Sequence, residues 1–305
     1  MAELVAVLDI GSNAARFLLA RIIPGSGYRV LQKQRVVTRL AGGKPGTLPR
    51  KGVRAVLRNA HRFLREVRNG AEPRVIAVAT SAVRDAENSR RLLGPLQRRE
   101  GVEVEILTGR QEARLGALAA LRSLSITEGA IADLGGGSLQ LSRVRRGEIV
   151  STSSVPLGAV RVTQQFFKHD PPSSKELRRL RRDVREQLLE VLPSTRRGEL
   201  LIGMGGTVRT IASMHLAAAR GRRKQRHGLR LLPSDVTAVR ERLASAPRRK
   251  WRKLRGLKAE RADIILGGVI VVEELMTLGG YGALVVCTAG VADGLLLRET
   301  FDGER

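Results

Sequence analysis

Twice in this chain an apolar, strand-like run ends in an aspartate and passes directly into glycine. The first case is Asp9-Ile10-Gly11-Ser12-Asn13 ahead of an apolar run over residues 14–23. The second is Asp133-Leu134-Gly135-Gly136-Gly137-Ser138 ahead of another over residues 139–144. A third turn, Gly203-Met204-Gly205-Gly206-Thr207, leaves the short strand-like run at residues 200–202 and opens a helix at Val208. Glycine lets the backbone approach a phosphate closely and aim successive amide N–H groups at its oxygens, and a carboxylate at a strand end can hold a divalent ion through water. One such turn is an ordinary structural device, but two copies with the same Asp-x-Gly start point to phosphate chemistry. The common alternatives fail. Val208 stands where the dinucleotide fingerprint needs its last glycine, and the only nearby P-loop candidate, Gly43-Lys44, is followed by Pro45. Cys287 is the single cysteine, and His61, His169, His215 and His227 match no zinc-ligand spacing.

The elements that must position these turns alternate. Residues 4–10 and 14–23 read as a hairpin, 28–40 as further strand, 52–68 as a helix and 74–79 as strand again. A turn at residues 80–84 leads into a polar helix over 85–99. A strand over 102–107 and a helix over 111–124 with a Thr-Gly start follow. The second half repeats the hairpin at 130–144, then adds a long charged helix over 174–192, a last strand and glycine turn over 284–290, and a helix over 292–300. Helix following strand predicts α/β layering, and the repeated hairpin predicts two related domains. At 305 residues and 42% apolar content the chain has room for two such cores.

Fifty-five Lys and Arg against 29 Asp and Glu give a net charge of +26, which selects anionic partners. Residues 220–261 hold 16 of the basic and 3 of the acidic side chains, so half of the excess lies in one segment, a candidate track for a long polyanion. Aromatics are only 3% of the chain, which disfavours base stacking and makes nucleic acid the weaker partner. No apolar run reaches the roughly 20 residues that cross a bilayer, and the N-terminus shows no signal pattern, so a cytoplasmic protein without membrane association is expected.

Six ordered motifs resemble those of the exopolyphosphatase and guanosine pentaphosphate phosphohydrolase family, within the actin-like ATPase superfamily. They are Leu8-Asp9-Ile10-Gly11-Ser12-Asn13, Ala79-Thr80-Ser81-Ala82-Val83-Arg84-Asp85-Ala86-Glu87-Asn88, Leu107-Thr108-Gly109-Arg110-Gln111-Glu112-Ala113-Arg114, Asp133-Leu134-Gly135-Gly136-Gly137-Ser138, Val155-Pro156-Leu157-Gly158-Ala159-Val160-Arg161 and Gly205-Gly206-Thr207-Val208-Arg209. Arg261-Ala262-Asp263-Ile264-Ile265 adds a seventh near the end. The resemblance spans almost the whole chain. It implies an α/β fold of two actin-like (ribonuclease H-like) domains, residues 1–124 plus 289–305 and residues 125–288, with the active site in the cleft between them. It also implies the short form, without further C-terminal domains, and a homodimer.

By the same resemblance Glu112 is the base that orients or deprotonates the attacking water. Asp9 and Asp133 hold Mg²⁺, or Mn²⁺, through water. Ser12, Asn13, Gly135, Gly136, Gly137, Ser138, Gly205, Gly206 and Thr207 clamp the terminal phosphates, and Arg84 offers its planar fork to two oxygens at once. Three positions depart from the family pattern. Leu139-Gln140 replaces the usual Thr-Glu, so an amide stands where a carboxylate is common. The ecto-nucleoside triphosphate diphosphohydrolases have glutamine there too, and Gln140 can position a water by hydrogen bonding. Gln111 replaces a frequent Glu, and Gly290-Val291-Ala292-Asp293-Gly294 replaces Gly-Leu-Arg-Glu-Gly. The activity implied is Mg²⁺-dependent exopolyphosphatase. Hydrolysis of guanosine pentaphosphate or a nucleoside triphosphate stands second, a non-catalytic polyphosphate or RNA binder third, and an actin-like kinase last, since no acceptor pocket is evident.

Overall fold

The computed structural model describes residues 3–70, 72–219, 225–251 and 253–301. The chain forms two compact α/β units, one of residues 1–119 with 291–305 and one of residues 120–290.

In the first unit β1 (Leu4–Ile10), β2 (Ala14–Ile23) and β3 (Gly27–Val37) make an antiparallel meander, and α1 (Arg50–Arg68) crosses to β4 (Arg74–Ala79), which pairs in parallel with β1. α2 (Ser81–Arg84), α3 (Arg90–Glu100), β5 (Val104–Ile106) and α4 (Gly109–Leu124) follow, giving the strand order β3-β2-β1-β4-β5. β1 is apolar without alternation because both of its faces are covered. Ala6, Leu8 and Ile10 join Phe17, Phe63, Leu64 and Leu92 on one side, whereas Val5 and Val7 meet Leu115, Leu295 and Leu296 on the other. The polar helix expected over residues 85–99 starts late, and the preceding segment expected as a turn holds the short α2. Asn88 accepts a hydrogen bond from the Leu48 N–H at 2.8 Å and donates one to its carbonyl at 3.1 Å. That side chain is committed to a neighbouring loop, so the long helix starts only at Arg90. The strand expected to run to residue 40 stops at Val37, where Arg39 takes a left-handed conformation with φ of 51°.

The second unit repeats the plan more fully than its hairpin alone suggests. β6 (Gly129–Leu134), β7 (Leu139–Arg145) and β8 (Glu148–Val155) form the meander, followed by α5 (Ala159–Phe166), α6 (Ser174–Val191) and β9 (Leu200–Met204). Then come α7 (Gly205–Ala218), β10 (Arg230–Leu231), α8 (Pro233–Ala244), α9 (Arg248–Trp251), α10 (Ile265–Leu278) and β11 (Ala283–Val286), with strand order β10-β11-β9-β6-β7-β8. β6 pairs antiparallel with β7 and parallel with β9, as β1 does with β2 and β4. α10 is apolar around nearly its whole circumference because α5, α6, α7 and α8 all pack on it. Its one deeply buried charge, Glu274, is held by Arg181 and Arg185 of α6. No described helix is long and apolar enough to cross a membrane.

Candidate phosphate-handling site

In the first unit the β1–β2 turn is fixed from behind. The Thr38 and Arg39 amides donate to the Asn13 carbonyl, and the Ala41 amide donates to that of Ser12. The Ser12 hydroxyl lies 2.8 Å from that of Ser81 and accepts the Ala82 N–H at 3.2 Å, tying the turn to the start of α2. α2 ends in Arg84, whose Nη1 donates to the Leu107 carbonyl at 2.6 Å and lies 3.7 Å from the Glu112 carboxylate. Ser12, Arg84 and Glu112, far apart in sequence, are thus linked through one short segment. Glu112 is only 7% exposed, on the first turn of α4, where the helix dipole favours an anion. Asn13 is buried too, and its side-chain Nδ2 has no acceptor among the described residues, a donor suited to an anion.

Two of the departures have structural explanations in this unit. Thr108 and Gln111 form a capping box: the Gln111 side chain accepts from the Thr108 N–H at 2.8 Å, while the Thr108 hydroxyl accepts from the Gln111 N–H at 3.2 Å. Gln111 therefore starts α4 and orients Glu112. Asp293 accepts the Tyr28 hydroxyl at 2.9 Å, fastening the C-terminal helix Val291–Phe301 to β3.

In the second unit the Gly135 N–H donates to the Ser138 carbonyl at 3.0 Å, closing the β6–β7 turn. The carbonyls of Gly135 and Gly136 accept amides from the start of α5, and that of Gly137 accepts the Arg161 Nε at 2.9 Å. Those carbonyls are occupied within the protein, whereas the amides of Gly136, Gly137 and Ser138 donate to no carbonyl of this turn or of α5, which leaves them available to an anion. Next to this turn, Asp133 and Met204 are register partners in parallel strands, which brings Gly205 beside Asp133. Gly205 has φ of +89° and lies against the Leu134 carbonyl, so a side chain is excluded twice over. The helix expected to open at Val208 begins on the turn itself, at Gly205. Gln140 donates to the hydroxyls of Ser138 at 2.7 Å and Ser154 at 3.3 Å, while its buried Oε1 has no donor among the described residues. Such an acceptor fits a bound water. Thr207, 1% exposed, faces α10, where its Oγ1 would lie 2.6 Å from a Cβ placed on Gly268. That Oγ1 is buried with no hydrogen-bond partner among the described residues.

One residue escaped a role in the sequence reasoning. The Arg261 guanidinium lies directly over Gly206, in the space a Cβ there would fill. Its only sequence signals were its motif and the second glycine of the α7 turn. A cation at the first turn of α7 adds a planar fork to the positive end of the helix dipole.

No group of three or more His, Cys, Asp or Glu that could hold a metal occurs among the described residues. Partly exposed Asp133, beside the glycine turns, fits a magnesium ion that keeps its water shell and takes phosphate oxygens. Asp9 fits less well, since its carboxylate shares charge with Arg16 at 3.5 Å. The basic segment expected as a track lies partly outside the described residues, at 220–224 and 252. The remainder is not one continuous element, and Arg240 and Arg248 spend their charge on Glu273 and Asp170.

Known proteins resemble this chain over most of its length. Residues 20–301 match the Ppx/GppA phosphatase family. Exopolyphosphatase 1 of Mycobacterium tuberculosis is 30% identical over 306 residues, covering 96% of this chain and 87% of that protein. Exopolyphosphatase 2 of the same organism is 31% identical, covering 96% and 97%. The crystal structure of the Aquifex aeolicus Ppx/GppA family member superposes with a TM-score of 0.83 at 26% identity over 100% of both chains. An exopolyphosphatase from Cytophaga hutchinsonii, at 23% identity, shares the fold with a TM-score of 0.87 over 99% of this chain and 98% of that one.

Proposed function

This chain belongs to the Ppx/GppA phosphatase family and is a phosphoanhydride hydrolase, and on that premise we propose that it removes orthophosphate from the end of inorganic polyphosphate, with Mg²⁺ as cofactor. In this reading Glu112 aligns a water and takes its proton as the water oxygen bonds to the terminal phosphorus. The anhydride P–O bond breaks, and the electron pair leaves on the shortened chain. Because the transition state is loose, most of the work is charge stabilisation. The amides of Gly136, Gly137 and Ser138 and the Arg261 guanidinium supply it, the Gln140 Oε1 accepts from a water, and Arg84 holds Glu112 in place. A magnesium ion on Asp133 would neutralise part of the charge on the phosphate oxygens.

The observation that carries the choice of substrate is the disposition of the aromatic side chains. Phe17, Phe63, Phe166, Phe167, Trp251 and Tyr281 are buried, Tyr28 and Phe301 are half-buried with the Tyr28 hydroxyl bonded to Asp293, and among the described residues no Phe, Tyr or Trp ring is exposed as a platform for a base. A phosphate chain needs no such platform, whereas a guanine or adenine gains from one. The test is orthophosphate release from short and long polyphosphate, guanosine pentaphosphate and a nucleoside triphosphate, with and without Mg²⁺. Polyphosphate should give the highest kcat/KM, and Glu112→Gln should lower kcat by about 10²–10⁴-fold on every active substrate. Faster turnover of either nucleotide would overturn the proposed substrate, and a fully active Glu112→Gln would remove the proposed base.

A further inference from the structure

In the first unit a cavity of about 910 Å³ lies along α1 and α3, with Arg50, Lys51, Arg54 and Arg58 contributed by the first helix and Arg99 by the second. All five side chains are exposed, and none makes an ion pair with a carboxylate among the described residues. The one carboxylate on the wall, Glu100, faces His61 at 2.9 Å. Residues 50, 54 and 58 are successive i, i+4 neighbours, so their charges stack about 6 Å apart along one side of the helix. Folding does not require this row. α1 is anchored through Val53, Val56, Ala60, Phe63, Leu64 and Val67 on its other side, and like charges at i, i+4 weaken a helix. A linear polyanion relieves that repulsion along the whole row at once. The apolar part of the wall is Leu57 and Pro95, with no Phe, Tyr or Trp ring to serve as a stacking platform for a base.

We propose that this groove is a second docking site for inorganic polyphosphate, gripping a stretch of the chain other than the phosphate being released. The inference rests on the substrate proposed above. The groove shares no residue with the β1–β2 turn, Arg84 or Glu112. A chain long enough to engage it binds as a tethered ligand and gains effective concentration, while a short chain gains nothing. The groove is therefore a device for chain-length preference.

The test uses the full chain with Arg54→Gln, Arg58→Gln and Arg99→Gln combined, all exposed positions where glutamine preserves helix propensity. Equilibrium binding of long-chain polyphosphate should weaken by about tenfold or more at about 0.1 M salt. The slope of log affinity against log salt should become shallower by about 2, by analogy with single-stranded nucleic acid. KM for long polyphosphate should rise, while kcat and the kinetics on tripolyphosphate stay at wild-type values. Unchanged long-chain binding, or an equal loss on tripolyphosphate, would overturn the groove. Loss of RNA binding with polyphosphate binding retained would overturn it as well, by assigning the groove to nucleic acid. The binding measurement decides the groove even if polyphosphate is not hydrolysed, and wild-type hydrolysis in a variant with unchanged binding refutes the groove while sparing the substrate.

Discussion

Gly206→Ala is the perturbation that most directly tests how the second unit grips phosphate. A Cβ at position 206 would overlap the Nη1, Nη2 and Cζ atoms of Arg261. Ordinary carbon–nitrogen contact is about 3.5 Å, so the guanidinium must withdraw by roughly 2 Å. A charge-assisted hydrogen bond operates at about 2.7–2.9 Å and does not survive that displacement. Such a bond is worth about 1.5–3 kcal/mol, and at about 1.4 kcal/mol per factor of ten kcat/KM should fall by about 10- to 150-fold. The backbone is not the cause, because Gly206 is absent from the positive-φ glycines and occupies the first turn of α7, where alanine is the better helix former. The melting temperature should hold or rise. Gly205→Ala is the contrasting case, losing stability through its φ of +89° and its contact with the Leu134 carbonyl. Arg261→Ala alone should match the loss of Gly206→Ala, and the double variant should be no worse than Arg261→Ala, since both substitutions remove the same interaction. The assay is initial-rate orthophosphate release from polyphosphate with kcat and KM separated. Gly206→Ala within twofold of wild type, or losses that multiply in the double variant, would refute the reasoning.

Other substitutions test neighbouring parts of the argument. Gln140→Leu, which keeps the volume and removes the buried acceptor, should cost about 10–100-fold in kcat as for one lost hydrogen bond in a reacting site. In Gln140→Glu the hydroxyls of Ser138 and Ser154, which accept from the wild-type amide, can rotate to donate to the carboxylate, so activity should stay within about tenfold of wild type, and equal activity of the two variants would remove Gln140 from the reaction. Burial alone would raise the Glu176 carboxyl, but the Ser173 and Lys168 amides, with help from His169, bring it down to about 2 from 4.5. Because the folded-state value is the lower one, its stabilisation is present above about pH 4.5 and is lost as pH falls toward 2. Glu176→Gln should therefore lower the melting temperature at neutral pH, with the gap closing in acid, and a pH-independent gap would refute the linkage. Removing Glu199 strands Arg143, whose Nη1 donates to both carboxylate oxygens at 2.6 Å, and Glu199→Ala should cost about 3–5 kcal/mol in urea unfolding.

The parts of this protein legible in its sequence are those specified by short-range chemistry. β1 and β2 occupy the predicted residues because an apolar run ending in Asp9-Ile10-Gly11 has few alternative backbones. The glycine turn at 135–138 is likewise where the sequence placed it. Elements that depend on distant partners were harder to read. α10 carries Gly267, Gly268 and a run of Val and Ile, a composition without helical periodicity, and it is a helix because four other helices enclose it. β8 is exposed enough that its alternation is weak, and it forms by pairing with β7. The late start of α3, after residues 85–89, depends on an asparagine reaching Leu48, forty positions away.

By itself the sequence determined the two phosphate-type turns, the family motifs and the charge that favours an anionic substrate, because glycine, aspartate and arginine impose their requirements locally or through composition. Only the tertiary structure decided which side chains face those turns. Arg261 reaches Gly206 across fifty-five residues, Arg84 meets Glu112 through the Leu107 carbonyl, and Thr207 turns inward to Gly268 despite standing in the same motif as its neighbours. These approaches are set by how helices and strand ends pack, a property of the assembled core that no window of residues contains.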